Sequence, residues 1–307
     1  MRKRLLAATV ATSLALSFAP ALSPAVAGAA PAPLTGVELN TTAANSVAVD
    51  TTFDFDAARS TGLPALMQLR GEMWDINPYF NDSDAAGTTR LREAAAARGL
   101  TTKEAYVNAV SIDNGLTRIA VQRAAEQGAH WGHTRPDGSE LWSAKVNGQQ
   151  TWAESLAAGA SLERSILDSW GHGELAALNN NRGAYASGAG HLHMMINPKN
   201  RYYGFGAVYI PRTENGTYTA ATTSETRGNS TPMEAGMQRA WLYRPAAPGE
   251  NPTGIKQGTP GPVKQVPGDA AGPAGSSEDL NTIIGIVIGI LGLIGAVAAI
   301  AQQLGLI

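Results

Sequence analysis

The sequence predicts an α+β or three-layer domain, on three observations. From Phe55 to Gln127 the pattern is largely helical. From His133 onward, helical and alternating stretches mix. The order of these stretches shows no regular βαβ alternation. The chain has 307 residues, and roughly 250 of them lie between two atypical ends, enough for one domain with a real core plus a linker.

The elements follow in chain order. Arg2-Lys3-Arg4, an apolar run from Leu5 to Ala21 and the small residues Ala25-Val26-Ala27 have the form of a secretory signal peptide, expected to span 1–27 and to place the protein outside the cytoplasm. Residues 28–54 read as a tether ending in a short edge strand. Leu63, Leu66, Met67 and Leu69 suit a first helix. Thr89 to Arg98 forms a second, stopped by Gly99. Thr101 and Glu104 have the spacing of a capping box that opens a third. Leu116, Ile119, Ala120, Arg123 and Ala124 continue as an amphipathic helix.

Next, His133-Thr134-Arg135-Pro136-Asp137-Gly138-Ser139 reads as a strand end entering a tight turn. Trp152 to Ala158 alternates. Ser161 caps a helix that ends at Trp170, with Ile166, Leu167 and Trp170 on one face. His191 to Asn197 and Gly204 to Pro211 read as adjacent strands, and the glycines of Gly204-Phe205-Gly206 predict close packing. Tyr218 to Thr223 and Ala240 to Tyr243 add edge strands, which places the domain at 55–244. The stretch 245–279 is a spacer: Pro245 to Glu278 holds seven Pro and seven Gly, too little apolar surface to offset chain entropy.

Charge and composition exclude several classes. With the leader removed, 20 basic residues face 25 acidic ones, so a strongly basic nucleic-acid binder is excluded. The chain has no Cys, hence no disulfide, no Cys-based zinc site and no thiol nucleophile. It also lacks H-E-x-x-H, G-x-S-x-G and P-loop signatures.

All five histidines fall in one window: His130, His133, His172, His191 and His193. On a strand, His191 and His193 would share a face. Glu154 and Glu174 lie within the same window. Three readings fit these residue types: a divalent-metal shell, an acid–base pair, and a polar cleft of mutually bonded side chains without ion or turnover.

The pieces LTRIAVQRAAE at 116–126, HTRPDGS at 133–139, AESLAAG at 153–159, ILDSWGHGE at 166–174 and GAGHLHMMINPKNRYYGFGAVYI at 188–210 together resemble, in order, the CAP superfamily (also called the SCP or cysteine-rich secretory, antigen 5, pathogenesis-related domain) in its bacterial secreted form. The resemblance implies an α-β-α sandwich and a cleft of two His and two Glu, by position His133, Glu154, Glu174 and His191, as catalytic or metal-binding residues, with zinc or another divalent ion as the implied cofactor. Three departures stand out. Ala153-Glu154-Ser155 replaces the family's Gly-Glu-Asn. Trp170 and Glu174 are one residue further apart than the family's Trp-x-x-Glu, which makes His172 a substitute for Glu174. The last motif is His191-Leu192-His193, so His193 is a candidate to share the site. Members of the superfamily occur in defence, toxin, sterol-binding, protease-like and cell-wall contexts. The resemblance therefore leaves three functions open: a ligand-binding envelope protein, a hydrolase acting on envelope material, and a carrier of lipid or another apolar ligand.

The last segment, 280–307, is apolar. Ile283 to Ala301 is 19 residues without a charge, about 28 Å as a helix against about 30 Å of hydrocarbon core. Gly285, Gly289 and Gly292 fall near one face, which permits close helix pairing. No Lys or Arg follows, unlike an ordinary stop-transfer helix. Anchoring in a membrane or an outer lipid layer, self-association, and folding back on the domain are the three expectations.

Overall fold

The computed structural model describes residues 36–83, 86–256 and 260. The expected leader and the apolar segment 280–307 lie outside the described residues. Among the described residues no helix is long and apolar enough to cross a membrane.

The chain order is β1 (Ser46–Asp54), a π turn (Ala58–Gly62), α1 (Leu63–Ile76), α2 (Leu91–Ala96), α3 (Lys103–Val107), β2 (Ser111–Ile112), α4 (Asn114–Glu126), β3 (Ala153–Ala158), α5 (Leu162–Arg164), a π segment (Ser165–His172), α6 (Gly173–Asn180), α7 (Gly190–Ile196), β4 (Tyr202–Tyr209), β5 (Thr217–Ser224) and β6 (Met237–Pro245). The strands form one sheet in the order β3-β5-β4-β1-β6, antiparallel throughout, with β2 parallel to the start of β4.

Helices cover both faces, as the predicted three-layer sandwich requires. Along β4 the side chains alternate. Tyr203 and Phe205 enter the core that α1, α6, α7 and the π segment build. Val208 faces α4 with Ala120, Val121 and Ala124. Between them, Gly204 and Gly206 bring α4 directly onto the strand: a Cβ at Gly204 would overlap the backbone of Leu116 and Thr117, and one at Gly206 that of Ala120 and Val121. The close packing expected of this pair is present.

Several expectations are corrected. The tether at 28–54 hides an interior strand, because β1 pairs with β6 along its whole length and with β4 on its other side. β5 is likewise interior, between β3 and β4. Thr102, not Thr101, caps α3 by accepting from Ala105 N. Helix α4 is buried nearly all round, since its polar side is covered too: Arg118 donates to Pro232 O and Gln122 to Tyr243 O. The domain also runs past 244. Glu250 takes both Nη atoms of Arg244 at 2.7 Å, Thr253 N bonds Ser46 O, and Tyr243 Oη bonds Lys256 O, so 245–256 packs on the sheet rather than joining the spacer.

Candidate functional site

The site forms at the β3 edge of the sheet, where the loop after α4 meets α6 and α7 from the opposite layer. Residues 133–135 are loop, not a strand end. The turn that follows is as expected: Gly138 adopts φ +83°, and Asp137 Oδ1 accepts from Ser139 N at 3.0 Å. The loop holds His133, whose Nδ1 lies 3.1 Å from Glu154 Oε1 on β3.

The segment His191–Asn197 is not a strand. Residues 190–196 form helix α7, so His191 and His193 point about 200° apart. His191 Nδ1 meets Glu174 Oε1 at 2.7 Å, and Glu174 Oε2 accepts from Leu192 N at 2.9 Å. His193 turns into the interior, bonding Asn81 O at 2.7 Å and stacking on Phe80 with ring centroids 4.6 Å apart. It does not share the site. Nor does His172 substitute for Glu174. Its Nε2 bonds Glu72 Oε2 at 2.7 Å on α1, and Gln68 and His172 together hold the Glu72 carboxyl below its ordinary range. His130 bonds Thr134 Oγ1.

Glu174 reaches the cleft because the helix does not end at Trp170. The Ser165–His172 segment winds with i to i+5 bonds, and Gly173 N closes one of them on Asp168 O. This wider winding absorbs the extra residue between Trp170 and Glu174. Trp170 keeps its buried place, its Nε1 donating to Leu156 O at 3.0 Å. Gly171 and Gly173 are needed here, since a Cβ at either would sit 2.7 or 2.8 Å from the carbonyl five residues back.

The result is two His–carboxylate dyads, His133–Glu154 and His191–Glu174, with imidazole centroids 6.5 Å apart and planes at 48°. An ionised carboxylate can only accept, so in the neutral imidazoles each Nδ1 carries the hydrogen and each Nε2 presents a lone pair. The four predicted residues are thus brought together, as two pairs rather than one ring.

Behind His133 lies an array the sequence reading missed. Arg123 Nε and Nη2 grip both oxygens of Glu154 at 2.9 Å, and Nη1 reaches Glu126 Oε2 at 2.5 Å. Glu126 also accepts from Arg135 Nη2 at 2.7 Å and from Gln122 Nε2 at 2.8 Å. All four charged side chains, of Arg123, Glu126, Arg135 and Glu154, are fully buried. Burial opposes the charge of Glu126, but the guanidiniums of Arg135 and Arg123 outweigh it and hold the carboxyl below its ordinary value of 4.5. Burial likewise opposes the charge of Arg123, yet Glu126 and Glu154 raise it above its usual range. The spacing of Arg123 and Glu126, three apart on α4, was the available signal.

This array decides the fit to a metal. Both oxygens of Glu154 are occupied by a guanidinium, and both of Glu174 by hydrogen-bond donors. Among the described residues no group of three or more His, Cys, Asp or Glu side chains is placed to hold an ion. The expected four-ligand shell for zinc or another divalent ion therefore does not fit; two imidazole nitrogens remain as free donors.

Residues 85–222 match the model of the CAP family, the cysteine-rich secretory protein family, a span that includes both dyads. No curated protein matches the chain at a significant level. With the α-β-α sandwich that encloses this span, the match establishes that the chain carries a CAP domain of the cysteine-rich secretory protein family.

Proposed function

We propose that this CAP-domain protein acts outside the cytoplasm as a binding protein, and that its ligand is held between His133 and His191. One observation carries the reading: two imidazoles 6.5 Å apart, each fixed through Nδ1 by its own carboxylate. Rings oriented in this way cost little further entropy when a ligand takes their Nε2 atoms. A general base needs the same orientation, so acid–base hydrolysis is the second reading, favoured by the same two bonds. The cationic, apolar and A-x-A pattern of 1–27 supports export. The uncharged run 283–301 supports anchoring in the envelope: exposing its Ile, Leu and Val side chains would cost about 25 cal/mol per Å² of apolar surface.

The test compares wild type with the His133→Ala, His191→Ala double variant, each incubated with envelope extract and read by native mass spectrometry. A bound mass on wild type that is absent from the folded double variant supports the cleft. Identical spectra contradict it. Truncation after Glu278 tests the anchor, with release of the folded domain into the medium expected and unchanged envelope retention contrary.

A further inference from the structure

Three of the six tryptophans are exposed, and all three fall between residues 131 and 152, beside the His133–Glu154 dyad in the chain. Trp131, 56% exposed, lies two residues before His133. Trp152, 71% exposed, immediately precedes β3 and stands two residues before Glu154. Trp142, 38% exposed, packs on Trp152 with ring centroids 5.8 Å apart and planes at 34°. At the far end of β3, Ala158 and Trp131 line an open groove of about 610 Å³ together with Gln127, Arg212, Glu214 and Asn215. At about 3.3 Å per residue, the six residues of β3 separate the Trp142–Trp152 pair from this groove by roughly 20 Å, with Glu154 between them.

Each part restricts the ligand. Exposed indole faces mark a place where flat apolar surface is covered on binding. The two Nε2 lone pairs accept from hydroxyls when the imidazoles are neutral. The groove carries one guanidinium and one carboxylate beside side-chain amides, so neither a polyanion nor a polycation is favoured, and its polar lining does not suit an acyl chain. The spacing of the aromatic residues calls for an elongated ligand.

We propose that the surface along β3 binds a neutral linear oligosaccharide, with the Trp142–Trp152 pair and Trp131 stacking on sugar faces and the two imidazoles accepting hydroxyl hydrogens between them. The central contact rests on the cleft reading above; the two aromatic ends do not.

The experiment titrates the full chain with chitohexaose, cellohexaose and the corresponding trisaccharides, read by calorimetry and tryptophan emission, with phosphatidylglycerol vesicles as a separate arm. At least one hexasaccharide is expected to bind more tightly than its trisaccharide. Trp131→Ala and Trp152→Ala, with unchanged circular dichroism, are each expected to weaken it roughly tenfold, the loss an aromatic anchor causes. Three results would each overturn the proposal: no saccharide binding at millimolar concentration, unchanged affinity in both tryptophan variants, or an emission shift with vesicles that the tryptophan variants lose while no saccharide produces one. The His133→Ala, His191→Ala variant separates the two readings. If it binds saccharide as wild type while the tryptophan variants do not, the aromatic surface stands and the cleft falls. If only the tryptophan variants are without effect, the cleft stands and the aromatic surface falls.

Discussion

The guanidinium of Arg123 reaches the main-chain carbonyl of His133 at 3.2 Å, while the carboxylate it neutralises, Glu154, holds the ring of the same residue at 3.1 Å. One buried side chain on α4 thus fixes both the backbone and the imidazole of a cleft residue. Its Nη2 also donates to Gly132 O at 3.0 Å.

Arg123→Ala should therefore leave Glu126 and Glu154 buried without this cation. The expected cost is about 3–5 kcal/mol in denaturant unfolding, typical of removing one partner from a buried ion pair. His133 should lose its fixed place as well, seen as line broadening of its imidazole signals. An effect below about 1 kcal/mol would mean that water or Arg135 replaces the lost contacts.

The pH dependence of stability has a defined sign. Glu126 is depressed below its ordinary 4.5 in the folded state. Its contribution is present in full above the unfolded value, and is lost as pH falls through the lower folded value. Denaturant midpoints should hold from neutrality to about pH 5 and fall below it. In Glu126→Gln the starting stability should be lower and the acid fall shallower. A parallel fall in both proteins would assign the acid sensitivity elsewhere.

Gly171→Ala places a methyl 2.7 Å from Ile166 O and from Leu69 Cδ1. The π segment must shift to make room, at about 1–3 kcal/mol, and Glu174 must move with it. Thermal melts should show the loss, and His191 resonances should change before those of His133. An unaffected His191 would show that α6 is placed independently of the π segment.

Zinc should bind weakly, because among the described residues no group of three or more His, Asp or Glu side chains is placed to hold it. Calorimetry at neutral pH is expected to show no stoichiometric site tighter than micromolar. Tight one-to-one binding abolished by Glu154→Gln would show that the carboxylate leaves Arg123 for a metal.

The sandwich was legible because its signals are local. Ser161 caps where expected, Gly138 turns where expected, and Gly204 to Pro211 reads as a strand where β4 runs. The four dyad residues were legible through ordered motifs. Gly190 to Ile196 was misread because a seven-residue apolar run with His at both i and i+2 fits either period, and only tertiary packing selects the helix. Ser46 to Asp54 was read only as a short edge strand ending a tether, because Val, Ala and Thr in short alternation carry little weight without the partner strand, which lies about 190 residues away. The Arg123–Glu126–Arg135 array was missed for a related reason: helical periodicity assigns charged residues to solvent, and here a loop and a neighbouring strand cover that side.

Nitrogen-15 spectra of the histidine rings at neutral pH test most directly whether both imidazoles are locked with hydrogen on Nδ1 and the lone pair on Nε2. His133 and His191 are both predicted to show the Nδ1–H tautomer, and Glu154→Ala and Glu174→Ala should each release only the ring it contacts. Nε2–H tautomers at both positions, or rings indifferent to their carboxylates, would contradict the dyad description and the binding function built on it.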